Sequence, residues 1–77
     1  MLIMKEMDYK EIDRKSILEY IEKQGGQCPV QDIIKNSGAE KLRVYPILFE
    51  EVQSARLTVL EEESFGSPKI VKLLRNE

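Results

Sequence analysis

The residue types that do chemistry in proteins are scarce in this chain. It has no histidine and one cysteine, Cys28. A lone thiol without histidine lacks the base partner of a nucleophilic pair and the companions of a metal site. Cys28 therefore reads as a small buried or half-buried filler, and no metal or cofactor is expected. The run Glu61-Glu62-Glu63 offers carboxylates to a cation or a basic partner. The simpler reading is a solvated strand whose charge keeps an open sheet edge from pairing promiscuously. Gly25-Gly26 and Gly66 stand as turn glycines, without the spacing of a phosphate-cradling loop. Nothing in the pattern puts two carboxylates into an apolar cleft, so the chain reads as non-enzymatic.

Seventy-seven residues leave room for one domain with one core. The charged fraction is 34% with both signs mixed, the composition of a folded protein in water. A formal net charge of -2 is not the basic footprint that phosphate contacts give a nucleic-acid binder. The single cysteine fits a reducing compartment. The opening MLIMKEM is too short for a signal-peptide core or a membrane span. A cytoplasmic location without membrane association is expected.

The elements that must carry any site follow from spacing. Residues 1–8 read as an N-terminal arm in which Leu2, Ile3, Met4 and Met7 are apolar enough to pack on the domain or on a second subunit. A first helix is predicted over about residues 9–24. Asp8 with Glu11, or alternatively Asp13, caps it, Ile17, Leu18 and Ile21 face inward, and Gly25-Gly26 ends it. Gln27 to Val30 reads as an extended link. Pro29 suits the entry to a short second helix from Val30 to about Lys35, stopped by Asn36-Ser37-Gly38.

The third helix carries Val44, Leu48 and Val52 on one stripe, with Tyr45 and Phe49 beside them. Pro46 inside a helix costs about 3 kcal/mol but nothing in the first turn, so the start is expected at about Arg43 to Tyr45. Leu57 to Ser64 and Lys69 to Leu74 then read as two strands joined through Phe65-Gly66-Ser67-Pro68. Antiparallel pairing is expected to bring Lys69, and Lys72 after it, near the glutamate run.

Over residues 12–74 this order resembles a winged helix-turn-helix domain. The resemblance rests on Ile17, Leu18 and Ile21, on Val30, Ile33 and Ile34 before Ser37-Gly38, on Val44-Tyr45 with Leu48 and Val52, and on the apolar strand and wing-type turn that follow. It implies an α+β fold, three helices followed by a two-stranded β-hairpin wing, over residues 9–75, and makes the link Gln27 to Val30 the place where a minor strand often pairs with the wing. Many winged helices are transcription regulators that lay the third helix in the major groove and touch phosphates with the wing, whereas others serve as dimerisation or docking modules.

For DNA, the resemblance implies Lys41 and Arg43 at the start of the third helix, Arg56 at its end, and Ser67 and Lys69 at the wing. Between residues 40 and 69 those four bases face the six acids Glu40, Glu50, Glu51, Glu61, Glu62 and Glu63, a balance of -2, which disfavours a phosphate-facing surface. Leu42, Tyr45, Ile47 and Phe49 make the third helix apolar on more faces than a small core covers. Ile47, with the arm residues Leu2, Ile3, Met4 and Met7, is the expected surface for homodimerisation or a protein partner. A protein-interaction module is thus the first expectation, and a small DNA-binding regulator the alternative.

Overall fold

The computed structural model describes residues 8–74, and the apolar arm residues Leu2, Ile3, Met4 and Met7 lie outside them. The elements are α1 (Tyr9–Lys23), β1 (Gln27–Pro29), α2 (Val30–Asn36), α3 (Lys41–Gln53), β2 (Leu57–Glu62) and β3 (Pro68–Leu73). Among the described residues, no helix is long and apolar enough to cross a membrane.

Helix α1 begins where Asp8 Oδ1 accepts from the backbone N–H of Glu11 at 3.2 Å, as a capping aspartate should. Asp13 is not a second cap. It lies inside the helix on the buried stripe Asp13, Ile17, Ile21. The helix ends through Gly25 and Gly26, both at positive φ. Gly26 N–H returns to Ile21 O at 2.9 Å and Gly25 N–H to Glu22 O at 3.1 Å, a Schellman closure. The same closure ends α3, where Arg56 N–H reaches Glu51 O and Ala55 N–H reaches Val52 O. There the left-handed position is held by Ala55 at φ 64.

Helix α3 starts earlier than its proline suggests. Glu40 caps it, accepting from Leu42 N–H, and Pro46 is the sixth helical residue. The expectation that Pro46 belongs to the first turn is corrected for a geometric reason. At about 100° per residue, Pro46 falls in line with Leu42, Phe49 and Gln53, opposite the buried Val44, Ile47, Leu48 and Glu51. The Leu42 carbonyl that lacks its donor therefore faces water, where the missing bond costs less than in a core.

The sheet holds a third strand beyond the expected hairpin. Its order is β1-β3-β2, antiparallel throughout. Cys28 stands opposite Val71 in the β1–β3 pair, and Val59 stands opposite the same residue in the β2–β3 pair. Leu60 is the extra residue of a bulge between Val59 and Glu61. With three glutamates after it, the bulge blunts the open edge of β2. Lys69 Nζ lies 3.8 Å from Glu61, but Lys72 stands opposite Thr58 and Gln27, away from the glutamate run.

One core joins all the elements: Ile17 and Ile21 from α1, Cys28 from β1, Val30 and Ile33 from α2, Val44, Ile47 and Leu48 from α3, and Leu57 and Val71 from the sheet. Burial holds the Cys28 thiol up at about 11, assisted by the nearby Asp32 carboxylate.

Candidate nucleic-acid interface

Ile47 is not a surface residue. It is 0% exposed and sits in the core. The helical phase that buries Val44, Ile47 and Leu48 turns Leu42 and Phe49 outward instead, 81% and 49% exposed. Phe49 lies beside Tyr45 on one stripe in the sequence, but the tertiary contact leaves only Tyr45 against the core. The outward face of α3 is therefore Leu42, Pro46, Phe49 and Gln53, with Lys41 beside its first residue.

Two of the six acids that weigh against nucleic acid in the linear count, Glu50 and Glu51, point away from the outer face of α3. Glu50 pairs with Lys10 and with Arg14 of α1, the latter at 2.5 Å. The Lys10 bond, with Arg14 behind it, holds the Glu50 carboxyl below the usual carboxylate range. Glu51 is buried, with Arg14 Nε at 3.0 Å and Arg56 Nη1 at 3.3 Å. The Arg14 Nε contact is an ion pair without hydrogen-bond alignment, since that N–H has no acceptor in line. Arg14 thus gathers Glu11, Glu50 and Glu51 into one cluster that locks α1 to α3. Glu61 is engaged by Lys69, Glu62 and Glu63 stay exposed on the wing, and Glu40 is the acid at the exposed start of α3.

The same geometry divides the expected contact residues. Lys41 is exposed at the first position of α3. Arg43, two residues on, is turned toward α1, where its Nε donates to Asp13 Oδ2 at 2.5 Å and its guanidinium lies 5.6 Å from the Tyr9 ring centre. The Asp13 hydrogen bond raises the Arg43 pKa further. Arg56 lies beyond the far end of a helix about 20 Å long and is paired with Glu51. Ser67 and Lys69 flank the wing turn, closed by Glu63 N–H to Ser67 O at 2.7 Å and Gly66 N–H to Glu63 O at 2.9 Å. Phe65 projects from that turn, 97% exposed. All five candidates keep exposed or half-exposed positions, but Arg43 is paired with Asp13, Arg56 with Glu51 and Lys69 with Glu61.

Leu42, Pro46, Phe49 and Phe65 were not singled out from sequence as nucleic-acid contacts. Leu42, Pro46 and Phe49 share one face by their i, i+4, i+7 spacing alone.

No protein-family model and no curated protein sequence matches the chain. Among solved structures, the chain is similar to the Zalpha domain from Carassius auratus PKZ, solved in complex with Z-DNA. The likeness has a TM-score of 0.65 at 20% sequence identity and covers 84% of this chain and 97% of that domain. With three helices and the antiparallel sheet β1-β3-β2, and by this likeness, the chain has the winged-helix fold.

Proposed function

We propose that this chain is a non-enzymatic nucleic-acid-binding module that meets a duplex with the outward face of α3 and the wing. The observation that carries this reading is the composition of that face. The α3 acids Glu50 and Glu51 are turned into the α1 contact, so the outward line holds Leu42, Pro46, Phe49 and Gln53, with Lys41 at its start. The Z-DNA complex of the similar Zalpha domain supports a duplex, and the left-handed Z-form is the first to test. With Lys41 and Lys69 as its cations, the face relies little on phosphate charge and more on apolar and stacking contact from Leu42 and Phe49. Regulation of transcription from the cytoplasm is the cellular role that such a module would serve.

The test is fluorescence anisotropy with an alternating cytosine–guanine duplex in its right- and left-handed forms, over a series of salt concentrations. Two phosphate contacts give a log–log salt slope of about -2, and Lys41→Ala removes about one unit of it. Arg56→Ala leaves both affinity and slope unchanged. Absence of binding to either form at low salt refutes the reading.

A second reading is favoured by one observation, the exposure of Leu42 and Phe49. In it the same face docks a protein, a second copy of the chain included, and Leu42→Asp disperses the complex in sedimentation velocity. Ile47 has no part in that surface.

A further inference from the structure

Asp13 occupies a position where its neighbours on the stripe, Ile17 and Ile21, are core residues. A carboxylate so placed must be bonded, or burial costs several kcal/mol. Its Oδ2 accepts twice, from Arg43 Nε at 2.5 Å and from the backbone N–H of Glu40 at 3.3 Å. These two donors bracket the start of α3. Glu40 is the residue before the helix and Arg43 lies in its first turn, and the residues between them are Lys41 and Leu42. The Arg43 guanidinium is also held on one face by the Tyr9 ring at 5.6 Å. Tyr9 is fixed in turn at the start of α1, beside the Asp8 cap.

We infer that Arg43 is a positioning residue, acting with Asp13 to set where Lys41 and Leu42 stand, and is not itself a nucleic-acid contact. This rests on the proposed function for its binding consequence, although the anchoring is independent of any ligand. Asp13 neutralises the Arg43 charge at contact distance, so the pair brings no net charge to a phosphate. Lys41 and Arg43 flank Leu42 at about 100° on opposite sides of α3, and it is the bond to Asp13 that turns Arg43 toward α1. A strand of nucleic acid lying along the Leu42–Phe49 line meets Lys41 and Leu42, with Arg43 behind them.

The experiment is a double-mutant cycle with Asp13→Asn and Arg43→Gln, read by anisotropy on the alternating cytosine–guanine duplex across a salt series. Hydrogen exchange is measured on the free variants in parallel. Asp13→Asn keeps an oxygen for the Glu40 N–H and is the variant that preserves folding best. If the pair positions α3, each single variant weakens binding by roughly tenfold, as coupled contacts do. The salt slope then stays unchanged, the double variant is no weaker than the weaker single, and Arg43→Lys restores part of the loss. If Arg43 instead touches phosphate, the signs separate. Arg43→Gln then takes about one unit from the salt slope, and Asp13→Asn strengthens binding by releasing the arginine, which overturns the inference.

Should the wild-type chain bind neither duplex form, the proposed function fails while the inference stays testable. Faster exchange at the amides of Glu40, Lys41 and Leu42 in both single variants supports it, and unchanged exchange there overturns it.

Discussion

Replacing Pro46 with alanine is expected to stabilise the protein, an unusual outcome for a change within a helix. The magnitude follows from where Pro46 sits. As the sixth residue of α3 it lies past the first turn, so the Leu42 carbonyl has no N–H to accept from. Proline in a helix interior is less favourable than alanine by about 3 kcal/mol. Two effects reduce the gain. Proline also stiffens the unfolded chain, which alanine gives up at a cost of about 0.4 to 1 kcal/mol. The Leu42 carbonyl lies on the exposed face, so water already supplies part of the missing bond. The net expectation is a gain of about 1 to 2 kcal/mol. In a domain of this size that raises the melting temperature by about 5 to 15 °C. Thermal and urea denaturation followed by circular dichroism measure it. If α3 instead began at Arg43 to Tyr45, Pro46 would occupy the first turn. Alanine there restores no bond and loses the unfolded-state advantage, so a fall in melting temperature would refute the reasoning.

Ile47→Ala is expected to cost about 3 kcal/mol, from three lost carbons at about 0.8 kcal/mol each plus the cavity left behind. Leu42→Ala, one and a half turns earlier on the outer face, is expected to change stability by less than about 0.5 kcal/mol, and the two urea midpoints decide between them. Ala55→Gly relieves the positive φ at the end of α3 and is expected to add about 0.5 to 1 kcal/mol in the same assay. The Cys28 thiol, held at about 11 instead of its ordinary 9.0, ionises first in the unfolded chain. Stability is therefore expected to fall as pH rises from 9 toward 11. Alkylation of native protein at pH 8 should run roughly a hundredfold slower than that of a free thiol.

Much of the architecture was legible because it rests on local rules. Asp8 with Glu11 marks the start of α1 and Gly25-Gly26 its end, and the wing turn around Gly66 follows from turn chemistry. Where spacing misled, a long-range partner decided the outcome. Asp13 looks like a cap because aspartate before an apolar stripe usually is one. Its true partners, Arg43 and Glu40, lie 30 and 27 residues away. Ile47 reads as exposed once Tyr45 and Phe49 are assigned to the core, because α3 carries more apolar faces than a small core covers. The late helix start has a separate cause, the cost of Pro46 in a dry interior. Cys28 as a buried filler was readable from composition. The pairing of β1 with the wing strand β3 followed only from the winged-helix resemblance, since three residues carry no period of their own. The charge balance of the candidate interface was the least legible property. A count along the chain adds Glu50 and Glu51 to the outer face, whereas Lys10, Arg14 and Arg56 draw them to another.

The place of β3 in the sheet has a consequence for how the chain reaches this fold during synthesis. The central strand is the last of the described elements to be made, and it supplies every ladder bond that β1 and β2 form. Until residues 68–73 have left the ribosome, β1 is a short extended piece with nothing to pair to, and β2 exposes both edges. The three helices can gather around Ile17, Ile33 and Leu48 before then, because their contacts span shorter stretches of chain. A nascent chain stalled before Pro68 would therefore be a partly collapsed helical cluster with two unpaired strands. That is the stage at which it most needs a chaperone, and at which the bulge and the glutamates of β2 do most to keep neighbouring nascent chains apart.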